Sequence, residues 1–485
     1  MNYRMILRIL SYILLIEAGL MLPGFGISLY YHESMAVHGF IRALIIILIV
    51  SLIFWLAGRN AKGTFQAREG LVTTGMTWIL MSTLGALPFW FSREIPSYID
   101  AMFEMASGFT TTGSSILTSV EAMSKGLLFW RSFSHWIGGM GVLVFLLAIV
   151  PLGGKNQGFT LHILRAESPG PSVGKMTPRM KKTATILYAI YVGLTVLDFL
   201  FLVAGKMSVF DAACTAFGTA GTGGFGVRND SLASYSPYLQ NVTTVFMFLF
   251  SVNFSIYYLI LLKKFKEAFG DEEFRLFWGM VFICIGLIFW NVRSLYATTE
   301  ETLRHSAFTV ATVISTSGFA TTDFDLWPSF AKTILLFLMM VGACAGSTGG
   351  GMKQIRLLLL FKGLRRNIHK SLHPSEVNVV RVNGRPIDLS VLHTTHTYLI
   401  AYVFILVISV LIVSLDGFSF ETNFSAVMAT FNNIGPGFDA VGATCNFSGF
   451  SNLSKLVLTA DMLAGRLEIY PMLILLSKST WQNAR

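Results

Sequence analysis

Long apolar runs alternate with short polar connections along the chain, near residues 5–30, 40–58, 71–92, 126–152, 184–205, 241–262, 276–292, 329–362, 394–415 and 453–477. Each approaches the ~20 residues a helix needs to cross a bilayer, so the pattern predicts about ten crossings. Four further stretches, 100–112, 211–223, 305–317 and 423–434, are too short to cross. Each of them runs at once into a polar, glycine-bearing cluster: Phe109-Thr110-Thr111-Thr112-Gly113-Ser114, Gly221-Thr222-Gly223-Gly224-Phe225, Ser315-Thr316-Ser317-Gly318-Phe319 and Asn432-Asn433-Ile434-Gly435-Pro436. Short helices ending in such clusters read as re-entrant segments, because non-helical backbone survives at membrane depth only inside protein or against water.

The register of the clusters can be checked internally. Asp100 precedes Gly113 by as many residues as Asp211 precedes Gly224, and Phe103 and Phe308 stand at matching distances before Gly113 and Gly318. The fourth cluster aligns less well, since Thr422 replaces the aspartate and Pro436 follows the glycine. Glycine lets a backbone turn its carbonyls toward one axis, and rings of such carbonyls can replace a cation's hydration shell. The reading is therefore one ring of Gly113, Gly224, Gly318 and Gly435, with Thr111, Thr112, Gly223, Thr316, Ser317, Asn433 and Ile434 lining the cation path beside it. The fold class that follows is an all-α polytopic membrane protein. Two extra transmembrane helices (1–68) precede four covalently linked helix–pore helix–filter–helix repeats (69–182, 183–270, 271–392, 393–485) around one pore.

A hydrophobic content of 53% with only 13% charged residues excludes an ordinary soluble domain. The net charge of +10 does not indicate nucleic acid, because the basic residues gather on alternate connections. These are Lys62 and Arg68; Lys155, Arg165, Lys175, Arg179, Lys181 and Lys182; Lys263, Lys264 and Lys266; and Arg356, Lys362, Arg365, Arg366 and Lys370. Such loops belong in the cytoplasm. Glu94, Asp100, Glu104, Asp211, Glu300, Glu301, Asp323, Asp325 and Glu421 fall on the opposite side with the glycine clusters, which places the ring outward behind an acidic mouth. The long basic connections 153–183 and 353–393 form a natural docking surface for a soluble partner. Arg4 and Arg8 precede an apolar run too long for a signal peptide, so the first helix is expected to stay. Cys214, Cys284, Cys344 and Cys445 have no paired spacing and read as free thiols. No HExxH, GxSxG, GxGxxG after a strand, or GxxxxGK[ST] is present, so neither an enzyme nor a nucleotide site is indicated in this chain.

Two features interrupt the apolar spans. The stretch 342–353 carries Gly346, Ser347, Thr348, Gly349, Gly350 and Gly351, and each glycine costs roughly 1 kcal/mol in a helix, so it should unwind below the ring. It reads either as a gate across the ion path or as a close-packing glycine patch. Arg466 lies inside the last span near Asp461 and Glu468, either facing the pore or in a structural ion pair. Arg131 and His135, one turn apart near an interface, are accounted for by snorkelling or packing. Glu17, Asp198 and Asn253 are further intramembrane polar residues.

The paired helices, the four clusters, and the phrases Trp136-Ile137-Gly138-Gly139-Met140-Gly141 and Gly346-Ser347-Thr348-Gly349-Gly350-Gly351 resemble the Trk/Ktr/HKT superfamily of potassium transporters, most closely its bacterial TrkH members. The resemblance implies a multi-pass potassium uptake subunit of a bacterial inner membrane, with K+ held in the filter and no organic cofactor. It also implies a homodimer, surrounded by membrane lipid, that binds a cytosolic RCK-type nucleotide-binding regulatory subunit (TrkA-like). In the family, an arginine at the place of Arg466 projects beneath the filter and contacts the gating loop. Gly113, where some plant relatives carry serine, favours potassium over sodium. None of the clusters spells TVGYG, which implies fewer carbonyl rings and weaker discrimination. A proton- or sodium-coupled symporter and a non-transporting scaffold are the rival readings.

Overall fold

A computed structural model of the chain describes residues 1–61, 66–141, 180–376 and 379–482. The basic residues Lys62, Lys155, Arg165, Lys175 and Arg179, and the end of the span expected over 126–152, lie outside the described residues. The described chain is almost wholly helical, with a single two-stranded hairpin, Arg381–Val382 against Arg385–Pro386.

Among the described residues, six helices are long and apolar enough to cross a membrane: Tyr3–Tyr30, Ser34–Gly58, Ala67–Phe91, Thr185–Ala204, Glu272–Val292 and Leu389–Asp416. They expose large apolar side chains, such as Ile45, Leu48, Ile49 and Leu52 on the second, as a lipid-facing surface does and a water-facing one does not. Among the described residues, the helix following each glycine cluster is short or broken, so these expected spans are not single continuous helices. Lys125–Gly139 ends at Met140, and Pro237–Ser251 meets Phe254–Leu261 at a bend of 89°. Ser329–Val341 stops at Gly342, and Asn452–Arg466 stops before Tyr470–Leu476. Hydropathy sums over a window and does not register where the hydrogen-bond ladder is cut.

The four short helices are Tyr98–Phe109, Val209–Gly221, Thr299–Ile314 and Phe420–Phe431. They start alike: the side chains of Ser97, Ser208, Thr298 and Ser419 accept from the N–H three residues on. Asp100, Asp211, Glu300 with Glu301, and Glu421 occupy their first turns, where the helix dipole favours negative charge. The apolar core gathers in two main clusters. One joins the first, second and third long helices to the first and last short helices, and the other surrounds the middle two short helices. The last quarter of the chain thus packs back on the first, with the Phe103 and Phe447 rings 5.6 Å apart.

Candidate functional site

All four short helices end in the same backbone turn. Thr111, Thr222, Thr316 and Asn433 adopt left-handed backbone with φ of 56°, 56°, 62° and 55°. The following residue then donates its N–H five residues back: Thr112 to Ser107 (2.9 Å), Gly223 to Gly218 (2.9 Å), Ser317 to Thr312 (2.9 Å) and Ile434 to Ala429 (2.8 Å). The next residue is in each case the glycine singled out from sequence, with φ of 83°, 70°, 79° and 103° at Gly113, Gly224, Gly318 and Gly435. The fourth turn matches the other three despite its weaker sequence alignment. Thr222, absent from the expected lining set, is the counterpart of Thr111, Thr316 and Asn433; the signal for it was the register, counted back from Gly224.

The four turns touch in cyclic order. A Cβ at Gly113 would meet the carbonyl oxygen of Gly223, one at Gly224 that of Ser317, one at Gly318 that of Ile434, and one at Gly435 that of Thr112. Each quarter of the chain thereby presses on the next and the fourth presses on the first. Two hydrogen bonds tie the last junction, Asn433 Nδ2 to Thr112 Oγ1 (2.9 Å) and Ser114 Oγ to the Gly435 carbonyl (2.9 Å). A cavity of about 150 Å³ opens over the four glycines and is lined by Ser114, Gly226 and Thr444 as well.

Glu104, expected in an acidic mouth, is instead fully buried behind the first turn. Its carboxylate accepts from Arg131 Nε (2.6 Å), Ser115 Oγ (2.9 Å) and the Ile116 N–H (2.9 Å). Arg131 also donates to the Gly226 carbonyl (3.1 Å) and stacks 3.5 Å from the Phe225 ring, so one ion pair braces the segments leaving the first and second turns. Snorkelling does not describe Arg131 or His135: both are buried, and His135 Nδ1 lies 2.7 Å from the Gly108 carbonyl with its ring against Gly223. Asp100 pairs with Lys455 Nζ at 2.6 Å. Asn253 caps the helix that starts at the 89° bend.

The 342–353 segment is non-helical and is wedged under the third and fourth turns. The Gly350 N–H donates to Thr316 Oγ1 (2.6 Å), the Gly351 N–H to the Asn432 carbonyl (3.0 Å), and Thr348 Oγ1 to the Phe250 carbonyl (3.1 Å). Across the bend, the Phe254 N–H donates to the Gly346 carbonyl (3.0 Å). Arg466 reaches the segment from the last quarter of the chain, donating to the Thr348 carbonyl (2.7 Å) and to those of Gly138 (2.6 Å) and Gly139 (2.8 Å). Of the acids near it in sequence, Asp461 accepts from Ser409 Oγ (2.8 Å) and Glu468 pairs with Arg356. Lys353, not singled out from sequence, is buried and donates to the Gly349 carbonyl, adding a second cation to the segment.

Residues 37–484 match the family model described as TrkH, cation transport protein. The chain is 35% identical to the Trk system potassium uptake protein TrkH of Salmonella typhimurium, covering 100% of both chains. It is 31% identical to the Trk system potassium uptake protein TrkG of Escherichia coli, covering 96% of this chain and 95% of that one. The crystal structure of the potassium transporter TrkH from Vibrio parahaemolyticus superposes with a TM-score of 0.88 at 31% identity, over 99% of this chain and 100% of that one.

Proposed function

Because the chain belongs to the TrkH family of cation transport proteins, we propose that it carries potassium into the cell through the four glycine turns. The observation that carries this reading is the cyclic contact of Gly113, Gly224, Gly318 and Gly435. Four like turns pressed into a ring leave their carbonyls as the available ligands for a dehydrated cation, and four helix C-termini add the negative ends of their dipoles. The relatives are named for potassium uptake and not for catalysis. Thr111, Thr112, Thr222, Gly223, Thr316, Ser317, Asn433 and Ile434 complete the filter, K+ is the ion it holds, and its outer cavity faces away from the cytoplasm.

Beneath it, Gly346 to Gly351 with Arg466 form the barrier. The segment stands directly under two of the four turns, and a guanidinium bound to its carbonyl puts fixed positive charge on the pathway. The assembly is a homodimer in the bacterial inner membrane, regulated by a cytosolic RCK-type nucleotide-binding subunit. Rubidium uptake into proteoliposomes holding this chain, with and without a proton or sodium gradient, tests the reading. Uptake that saturates with potassium and ignores both gradients is the expected outcome; uptake that requires either gradient would make the protein a symporter, and none at all would sink the pore.

A further inference from the structure

The helix Glu272–Val292 begins where two otherwise separate parts of the molecule meet. On one side stands the hairpin, whose two-residue turn is Asn383-Gly384 with φ of 51° and 73°, the pairing that suits the twist of antiparallel strands. Asn383 is bound to the helix start from three directions. Its N–H donates to Glu272 Oε1 (2.8 Å), its Oδ1 accepts from the Glu272 N–H (2.9 Å), and its Nδ2 donates to Asp271 Oδ2 (2.6 Å). Lys362 joins the same junction, donating to Glu272 and to the Arg381 carbonyl (2.6 Å).

On the other side stands the non-helical segment under the glycine turns. The next residue of the helix, Glu273, is buried, and its Oε1 accepts from the N–H groups of both Ala345 (2.7 Å) and Ile355 (3.0 Å). One carboxylate oxygen therefore pins the two ends of the stretch that contains Gly346 to Gly351. Charge-assisted bonds of this kind are about twice as strong as neutral ones, and a glycine-rich loop held at both ends has far fewer shapes open to it. Val382 of the hairpin and Ile387 just after it pack with Ile355 and Leu359 just beyond the second of those bonds, so the hairpin and the carboxylate bear on the same end of the segment.

We propose that Glu273 is the positioning residue that holds the 346–351 barrier in place, and that the 381–386 hairpin sets the position of Glu273 through Asn383 and Glu272. The inference rests on reading 346–351 as the barrier.

The test is a double-mutant cycle in proteoliposomes, with rubidium uptake and potassium-to-sodium preference read on Glu273→Ala, Asn383→Ala, the pair together and a chain lacking 346–350. Removing both bonds in Glu273→Ala raises uptake about tenfold. Glu273→Gln, whose amide oxygen still accepts from both N–H groups, stays within about twofold of wild type. Asn383→Ala raises uptake less than Glu273→Ala, and the pair exceeds Glu273→Ala alone by nothing, because both act through one path. Ion preference is the same throughout. Should Glu273→Ala fail to insert, Glu273→Asp, a methylene too short to span both N–H groups, reads the same difference. Uptake raised by the deletion but not by Glu273→Ala overturns this inference alone, as do single effects that multiply in the pair; a deletion that leaves uptake unchanged overturns the barrier reading with it.

Discussion

Three β-branched threonines in left-handed backbone form an unusual set, since the conformation costs a non-glycine residue of order 1–3 kcal/mol and survives only where the surroundings impose it. Here it recurs at Thr111, Thr222 and Thr316, and asparagine at 433 tolerates it best. The strain fixes where the following carbonyl points. The glycine two places on has no such freedom to lose, because its φ is positive and the next turn's carbonyl occupies the place of a side chain. Gly113→Ser and Gly318→Ser should therefore displace the neighbouring carbonyls of Gly223 and Ile434 and lower the potassium-to-sodium permeability ratio, roughly tenfold if one carbonyl ligand is lost. Bi-ionic reversal potentials measure it, and an unchanged ratio in both mutants would remove the ring from the mechanism. Gly113, Gly224 and Gly318 were legible because their offsets from acidic and aromatic landmarks agree. Thr222 was not, because the doublet Gly223-Gly224 drew attention to residues that need no side chain.

At the scale of elements, the long helices were legible because twenty apolar residues admit few other structures. The breaks in the helices after each glycine cluster were not, except at 342–353, where the density of glycine announces one. At Val252 and at Leu467 to Ile469 the ladder ends without a glycine run, where tertiary contacts meet the break: the Gly346 carbonyl takes the Phe254 N–H, and Arg466 donates to the carbonyls of Thr348 and Gly138. Arg466 also shows why an intramembrane charge is ambiguous in sequence. Its neighbours Asp461 and Glu468 looked like partners, yet each is engaged elsewhere, and the guanidinium joins the 348 carbonyl to the end of Lys125–Gly139. If that link holds the barrier, Arg466→Ala and deletion of 346–350 both raise potassium flux several-fold, by the order of a lost charge-assisted hydrogen bond, with ion preference unchanged. Folded mutants with rubidium flux at or below wild type would make the segment a packing element instead.

At the scale of the whole molecule, the repeats lead to the expectation of one ring but not to the contacts that close it. The Asp100–Lys455 pair, the Phe103–Phe447 contact and the Asn433–Thr112 bond bring the fourth cluster back to the first. The basic connection after the third repeat also has its own structure. The connection expected over 353–393 is in fact a helix, Gln354–Leu372, followed by the hairpin. Its first half runs from the 342–353 segment with Arg356 buried, and its far end presents charge, with Arg365 and Lys370 exposed and Arg366 half-buried. A regulator docking there would touch the helix that leaves the barrier. Reversing Arg365 and Arg366 to Glu should weaken capture of an RCK-type regulatory subunit at least about tenfold at low salt, and less as salt screens the wild-type contact. Basal rubidium uptake should not change, because neither side chain belongs to the filter, the barrier or the Glu272–Asn383 junction. Titrating purified regulator onto the detergent-solubilised protein at two ionic strengths measures both terms. Equal affinity of wild type and mutant at low salt would move the docking surface away from the far end of this helix, and uptake that changed with the reversal would mean that these arginines act on the barrier directly.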